Sequence, residues 1–319
     1  MIQKETNNIL SLDLLRAVAS LAVCVTHMSY ATEIQHYSIN NILIYGQQGV
    51  PIFFVISAFI IPYSLWNVDY KLKNFFSFLA KRWVRITLPF IFIVVVCAIL
   101  EPRFNLSKFL INIFYLVPFT PYEWYSGIFW TLGVEFQLYI IIGLFFPLIR
   151  DANKYVLMVV LLVLGLAGSF VSLNGSYMPI IHNLHYFVFG LITLLIKKQK
   201  FSLKEGHILL FSLAAFLCFK ISFVTGIVGY LTSIIILHAN FKIPFVKFFS
   251  KISYSLYLTH TLTADLVLLA FVGIAINAYV LFVILLLSCI IMSLIFYEVF
   301  ERFALKWSKS IKIVSNYSV

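Results

Sequence analysis

RAVASLAVCVTH, residues 16–27, places an arginine and a histidine inside a run that otherwise reads as a membrane-spanning helix. Asp13 and Arg16 interrupt the apolar run, and no small-x-small cleavage site follows, so it reads as a retained helix rather than a secretory signal. Its two ionisable groups must then find a partner or an aqueous cavity at membrane depth.

The rest of the chain agrees with that reading. Of its 319 residues 62% are hydrophobic and only 11% charged, and the mean hydropathy is +1.00, far from the balance of a soluble domain. The apolar runs are long and unbroken, whereas barrel strands would alternate over about 10 residues, so the pattern argues against a β-barrel. The expected fold is all-α: one polytopic membrane domain over residues 1–319, without internal repeat or soluble appendix. Its helices are expected at roughly 10–30, 49–66, 86–100, 128–149, 155–171, 180–196, 206–219, 221–238, 252–270 and 278–297. The short hairpin around Lys220 is the weakest pair; without it about eight helices remain, with the same orientation at both ends.

Charge placement orients the bundle. With the N-terminus inside, most of the 23 Lys and Arg residues fall in cytoplasmic segments, and only Arg103, Lys108 and Lys220 fall outside. The positive-inside rule therefore favours cytoplasmic N- and C-termini. The formal charge of +11 is then that of basic loops against an anionic leaflet, and no nucleic-acid partner is expected. Cys24, Cys97, Cys218 and Cys289 lie apart in apolar runs, so they read as packing residues and no metal site is expected.

Polar groups at depth carry the chemistry. Arg16 and His27 share one helical face, separated by about 16 Å of rise and a net rotation of about 20°. Ser20 and Val23 between them leave room for a slender group. Ser57 in FFVISAFII lies at mid-depth, Glu135 in WTLGVEFQLYI near the level of His27, and His260 and Asp265 in the middle to outer half of the ninth helix. Taken singly, Arg16 can snorkel, His27 can pack at an interface, and Ser57 can bond back to its own helix. A carboxylate at depth costs about 2.5–3.5 kcal/mol and is functional by default. Together an Arg, a His and a Glu can serve as anion anchor, general base and base-orienting carboxylate. Arg82 and Arg85 in KRWVRITLP lie on one face of a turn and suit a phosphate or pyrophosphate, or else anchor the helix end. The aromatic connection YLVPFTPYEWYSG, residues 115–127, is either an interfacial belt or a platform for a sugar ring.

LDLLRAVASLAVCVTH, FFVISAFII, KRWVRITLP, FWTLGVEFQLYI, KISYSLYLTH and FYEVFERFALKW resemble, in that order, the hallmark segments of the membrane acyltransferase-3 family, over about residues 9–307. The resemblance implies a bundle of about ten helices with both termini inside. It implies a bacterial inner (plasma) membrane enzyme that moves an acyl group, most simply acetyl, from cytoplasmic acetyl-CoA to a hydroxyl of a surface or lipid-linked glycan. His27 corresponds to the catalytic base, with Arg16, Glu135 and His260 completing the catalytic set. Arg82 and Arg85, with Arg16, correspond to the donor-phosphate residues, and Ser57 and Trp130 are candidate substrate contacts. Leu14, Ala17 and Ala58 stand where glycines are common in the family, and Phe136 where many members carry a second acid. The rival expectation is a transporter or flippase for a lipid-linked sugar, in which the same charges line a proton or substrate path.

Overall fold

The structure, a computed structural model, describes residues 10–32, 40–170, 179–240 and 243–313. Lys4, Lys242 and the expected end of the fifth helix at residue 171 lie outside those residues. Among the described residues the secondary structure is helical throughout, with no strand. The helices are α1 Leu10–Ala31, α2 Asn40–Leu43, α3 Gly49–Leu65, α4 Phe75–Leu100, α5 Leu106–Ile113, α6 Trp130–Asp151 and α7 Lys154–Ala167. They continue as α8 Pro179–His182, α9 Leu184–Lys197, α10 Leu203–Lys220, α11 Phe223–His238, α12 Pro244–Ala270, α13 Ala278–Phe296 and α14 Arg302–Ser310.

Among the described residues, five helical segments are long and apolar enough to cross a membrane: Leu10–Ala31, Ile44–Leu65, Leu72–Leu100, Trp130–Asp151 and Ala278–Ser310. The apolar helices α7, α9 and α11 are shorter. Outward faces are those expected in hydrocarbon rather than water: Val156, Val159, Val160 and Val163 on α7, and Val280, Val283, Leu287 and Ile291 on α13 are all exposed. The chain is a membrane protein.

Among the described residues, helix is found within each stretch expected from hydropathy, and the boundaries differ where charge interrupts an apolar run. The third expected helix begins at Phe75 rather than residue 86. Lys81, Arg82 and Arg85 do not break it, because they line an internal cavity, while Phe75 and Phe78 pack against the Gly143 position of α6. The ninth begins at Pro244 rather than residue 252; a proline in the first turn gives up only an amide that has no intrahelical partner there. The tenth continues through a π-helical turn, Tyr297–Glu301, into α14. The doubtful hairpin is present as α10 and α11, and Gly226 lets α11 approach the α10 backbone at Ala214.

Small residues set the helix spacing around the site. A Cβ at Gly49 would lie 2.3 Å from the Ala19 carbonyl oxygen and 2.7 Å from Val23 Cγ2. A Cβ at Gly190 on α9 would lie 2.3 Å from the Val55 carbonyl oxygen of α3. Without a hydrophobic drive between helices in lipid, such backbone approach supplies the packing contacts that hold α1, α3 and α9 together.

Candidate active site

A cavity of about 830 Å³ opens between α1, α3, α4, α6, α12 and the α14 end of the chain. Its walls carry Arg16 and Asp13 from α1, Ser57 and Ser64 from α3, Lys81, Arg82 and Arg85 from α4, and Glu135 and Tyr139 from α6. Tyr254 and Tyr257 of α12 and Glu301 of the π-helical turn complete it, with Lys309 and Lys312 at its lysine-rich mouth.

The acidic groups are held by short hydrogen bonds. Glu135 Oε1 accepts from Ser57 Oγ at 2.8 Å and from Tyr139 OH at 2.5 Å. Tyr139 is one helical turn beyond Glu135, so α6 itself aims both groups the same way. Asp13 Oδ1 accepts from Ser250 Oγ at 2.6 Å. Glu301, only 4% exposed, accepts at one oxygen from the Ser255 backbone N–H at 3.1 Å and from Ser255 Oγ at 2.5 Å. The π-helical turn re-aims the chain so that Glu301 faces the bundle; such turns recur at functional sites.

The cations are held much less. Arg82 Nη2 donates to Ser64 Oγ at 2.8 Å, while its Nε is buried and has no partner. Arg16 and Arg85 line the cavity without a hydrogen bond or ion pair to any described residue. The charges acting on Arg16 are those of Arg85, Glu301, Asp13 and Glu135. Three guanidinium groups thus project into one open space, one of them with a buried N–H still to be satisfied. That is the donor set an anionic, phosphate-bearing molecule requires.

His27 sits beyond the cavity, with a different partner from the one expected. Its Nδ1 lies 2.9 Å from the Val23 carbonyl oxygen and 3.2 Å from His260 Nε2. His260 is fully buried, and its Nδ1 lies 2.7 Å from the Tyr257 carbonyl oxygen and 3.1 Å from that of Leu256. Carbonyl oxygens only accept, so His260 carries its proton on Nδ1 and offers the Nε2 lone pair. His27 Nδ1–H then donates to that lone pair and to Val23, which leaves the lone pair of His27 Nε2 free among the described residues.

The expected pairing of Glu135 with His27 is therefore replaced: Glu135 is engaged by Ser57 and Tyr139, and His260 orients His27. Nor do Ser20 and Val23 line an open route along α1. Both are 1% exposed, because Gly49 brings the start of α3 onto the α1 backbone at that level. On α1 the cavity reaches only Leu12, Asp13 and Arg16. At its inner end Tyr257 lies with its ring 5.9 Å from that of His260 and 6.1 Å from that of Phe53. Tyr257 OH is tied to Thr131 Oγ1 at 2.6 Å and to the Ile128 carbonyl oxygen at 3.1 Å. Tyr257, which lines the cavity with Phe53 against its ring, thus stands between the arginine cavity and His260. Trp130 is not in the cavity wall; it packs edge-on against Phe54.

Glu301, Asp13, Tyr139, Tyr257 and Lys81 belong to this site although sequence reasoning did not assign them a role. Tyr139 carries a readable signal, its spacing from Glu135. Glu301 and Ser255 are 46 residues apart, and nothing in their local sequence announces their contact.

No curated protein and no solved structure matches the chain. The acyltransferase-domain family model of the acyltransferase-3 family matches residues 9–298, a span that contains Arg16, His27, Arg82, Arg85, Glu135 and His260. With its apolar helices and its cationic internal cavity, the chain belongs to the acyltransferase-3 family and is a membrane acyltransferase.

Proposed function

We propose that the protein is an O-acyltransferase of the bacterial inner membrane. It takes an acyl group, most simply acetyl, from cytoplasmic acetyl-CoA and transfers it to a hydroxyl of a surface or lipid-linked glycan. The observation that carries this reading is the pairing of a phosphate-suited arginine cavity with a histidine whose free nitrogen lone pair is fixed by the Val23 carbonyl and a second histidine. An acyl-CoA is an anion at one end and a thioester at the other, and the site offers separate chemistry for each.

In this reading Arg82 and Arg85 take the donor diphosphate, and the unpartnered Arg82 N–H supplies one of the bonds. Arg16 lies deeper and steadies charge toward the thioester. His27 Nε2 removes the proton of the acceptor hydroxyl as its oxygen bonds to the thioester carbonyl carbon; the carbon–sulfur bond then breaks, and the leaving thiolate takes that proton from the His27 imidazolium, which restores the base. His260 accepts from the imidazolium formed on His27 and so stabilises it. Because Tyr257 stands between the cavity and His260, the thioester reaches His27 only after that ring moves aside. Ser57, hydrogen-bonded to Glu135, sits at the inner cavity wall as a contact for the acyl arm.

A transporter of a lipid-linked sugar would need no thioester and no tautomer-fixed histidine. The test is incubation of purified protein with radiolabelled acetyl-CoA and candidate glycans, parent against His27→Ala. The reading expects label on a glycan and thiol release with the parent, and loss of both in the variant. Transfer unchanged in His27→Ala removes His27 from the chemistry.

A further inference from the structure

The cations of the cavity form two tiers. The inner tier is Arg16, Arg82 and Arg85, none of them exposed; the outer is Lys309 and Lys312, both exposed, with Lys81 bonded to the chain between them. The outer tier is built largely by chain beyond residue 298, where the family match ends. There the backbone is pinned across the start of α4: Lys81 Nζ donates to the Ile311 carbonyl oxygen at 3.0 Å, and Asn74 Nδ2 to the Ile313 carbonyl oxygen at 2.9 Å. Lys309 lies two residues before that pinned segment and Lys312 within it, between Ile311 and Ile313; both line the cavity and form no ion pair with any described residue. The carboxylates of the cavity, Asp13, Glu135 and Glu301, are each held by a serine, and none is bonded to an outer lysine.

A diphosphate alone would be met by the inner arginines. Two tiers match a molecule with a second, separate phosphate. We infer that Lys309 and Lys312, positioned by the contacts of Lys81 and Asn74, bind a phosphate monoester at the cavity mouth and select a 3′-phosphorylated nucleotide donor. This rests on the acyl-CoA reading above: the monoester is the 3′-phosphate on the ribose of coenzyme A. The same chemistry is carried by the phosphate of an anionic lipid headgroup, which reaches a lysine-rich membrane face as well.

The experiment measures KM for acetyl-CoA and for 3′-dephospho-acetyl-CoA with the full-length protein, as parent, as Lys309→Gln/Lys312→Gln, and as Lys306→Gln. Lys306 is an exposed lysine of α14 outside the cavity wall and serves as control. Each protein is reconstituted in neutral phosphatidylcholine vesicles and in vesicles with added anionic lipid. The parent is expected to favour the 3′-phosphorylated donor by about tenfold in KM, the scale of two exposed charge-assisted contacts. In the double variant the two donors become equivalent because KM for acetyl-CoA rises, Lys306→Gln behaves as the parent, and the result is the same in both vesicles. A parent that does not distinguish the donors, or a variant that raises both KM values equally, overturns the inference while leaving acyl-CoA chemistry standing. An effect confined to anionic vesicles assigns the lysines to lipid headgroups and also overturns it. If the parent consumes neither donor, the acyl-CoA reading itself has failed.

Discussion

Replacing His260 by leucine removes the acceptor of the His27 Nδ1–H bond at 3.2 Å while leaving the 2.9 Å contact to the Val23 carbonyl oxygen. The remaining contact still fixes the tautomer, so His27 Nε2 stays a base. What is lost is the bond to a ring that becomes positive as it takes the substrate proton. A hydrogen bond to a charged group is worth about 1.5–3 kcal/mol, and about 1.4 kcal/mol is tenfold in rate. His260→Leu is therefore expected to lower kcat by about ten- to a hundredfold with little change in KM for the donor. His27→Ala, which removes the base, loses about 10²–10⁴. His260→Gln supplies a carbonyl oxygen as acceptor and is expected to recover part of the loss. The assay is thiol release coupled to acyl transfer by purified protein, with thermal stability measured in parallel to separate folding from catalysis. An undiminished kcat in His260→Leu would refute the relay, and so would a loss as large as that of His27→Ala together with no recovery in His260→Gln.

Further predictions follow from neighbouring features. Glu301→Gln keeps an acceptor for Ser255 and removes a carboxylate from the cavity wall that also carries Arg16; a unit charge about 4 Å away acts with about 1 kcal/mol even at the dielectric of water, so KM for an anionic donor should fall roughly fivefold. An unchanged KM in titrations of donor concentration would show that the Glu301 charge does not reach the donor. Gly49→Ala puts a methyl 2.3 Å from the Ala19 carbonyl oxygen, and overpacking of about 1–3 kcal/mol should outweigh the gain in helix propensity. Melting in detergent should show that loss, while Gly127→Ala, with open space around its Cβ position, should leave the melting temperature in place. Glu205 is held down to about 2 by the Lys154 ammonium and by the Ser202 backbone N–H and hydroxyl. Its folded value lies below the unfolded one, so its stabilisation is present above the ordinary carboxylate range and is lost as pH falls through about 2. The difference in melting temperature between parent and Glu205→Gln should shrink over that window, and a difference independent of pH would contradict it.

Much of the fold is legible because lipid imposes one demand, long apolar helices, and hydropathy reads it directly. Helix ends are less legible. Charges at Lys81, Arg82 and Arg85 look like the end of a span when only hydropathy is read, yet they sit within α4 because they face a cavity the sequence cannot display. The site divides in the same way. Arg16, Arg82, Arg85, Glu135, His27 and His260 stand out as ionisable groups in apolar surroundings, and each is found at or beside the cavity. Their pairing is not legible, since it depends on how α1, α6 and α12 pack. His27 meets His260 across 233 positions, and Glu135 meets Ser57 across 78. The supposed passage along Ser20 and Val23 follows from the face of α1 alone and fails because a second helix, brought close by Gly49, occupies that face.

The measurement that bears most directly on the account uses sided proteoliposomes. Radiolabelled acetyl-CoA is supplied only at the lysine-rich face and the glycan acceptor only at the opposite face, with parent and His27→Ala compared. Acetyl label is expected on the far-side glycan, matched by free coenzyme A on the near side, and neither with His27→Ala. Movement of a lipid-linked sugar without consumption of acetyl-CoA, or label transferred as fast by His27→Ala as by the parent, would contradict it.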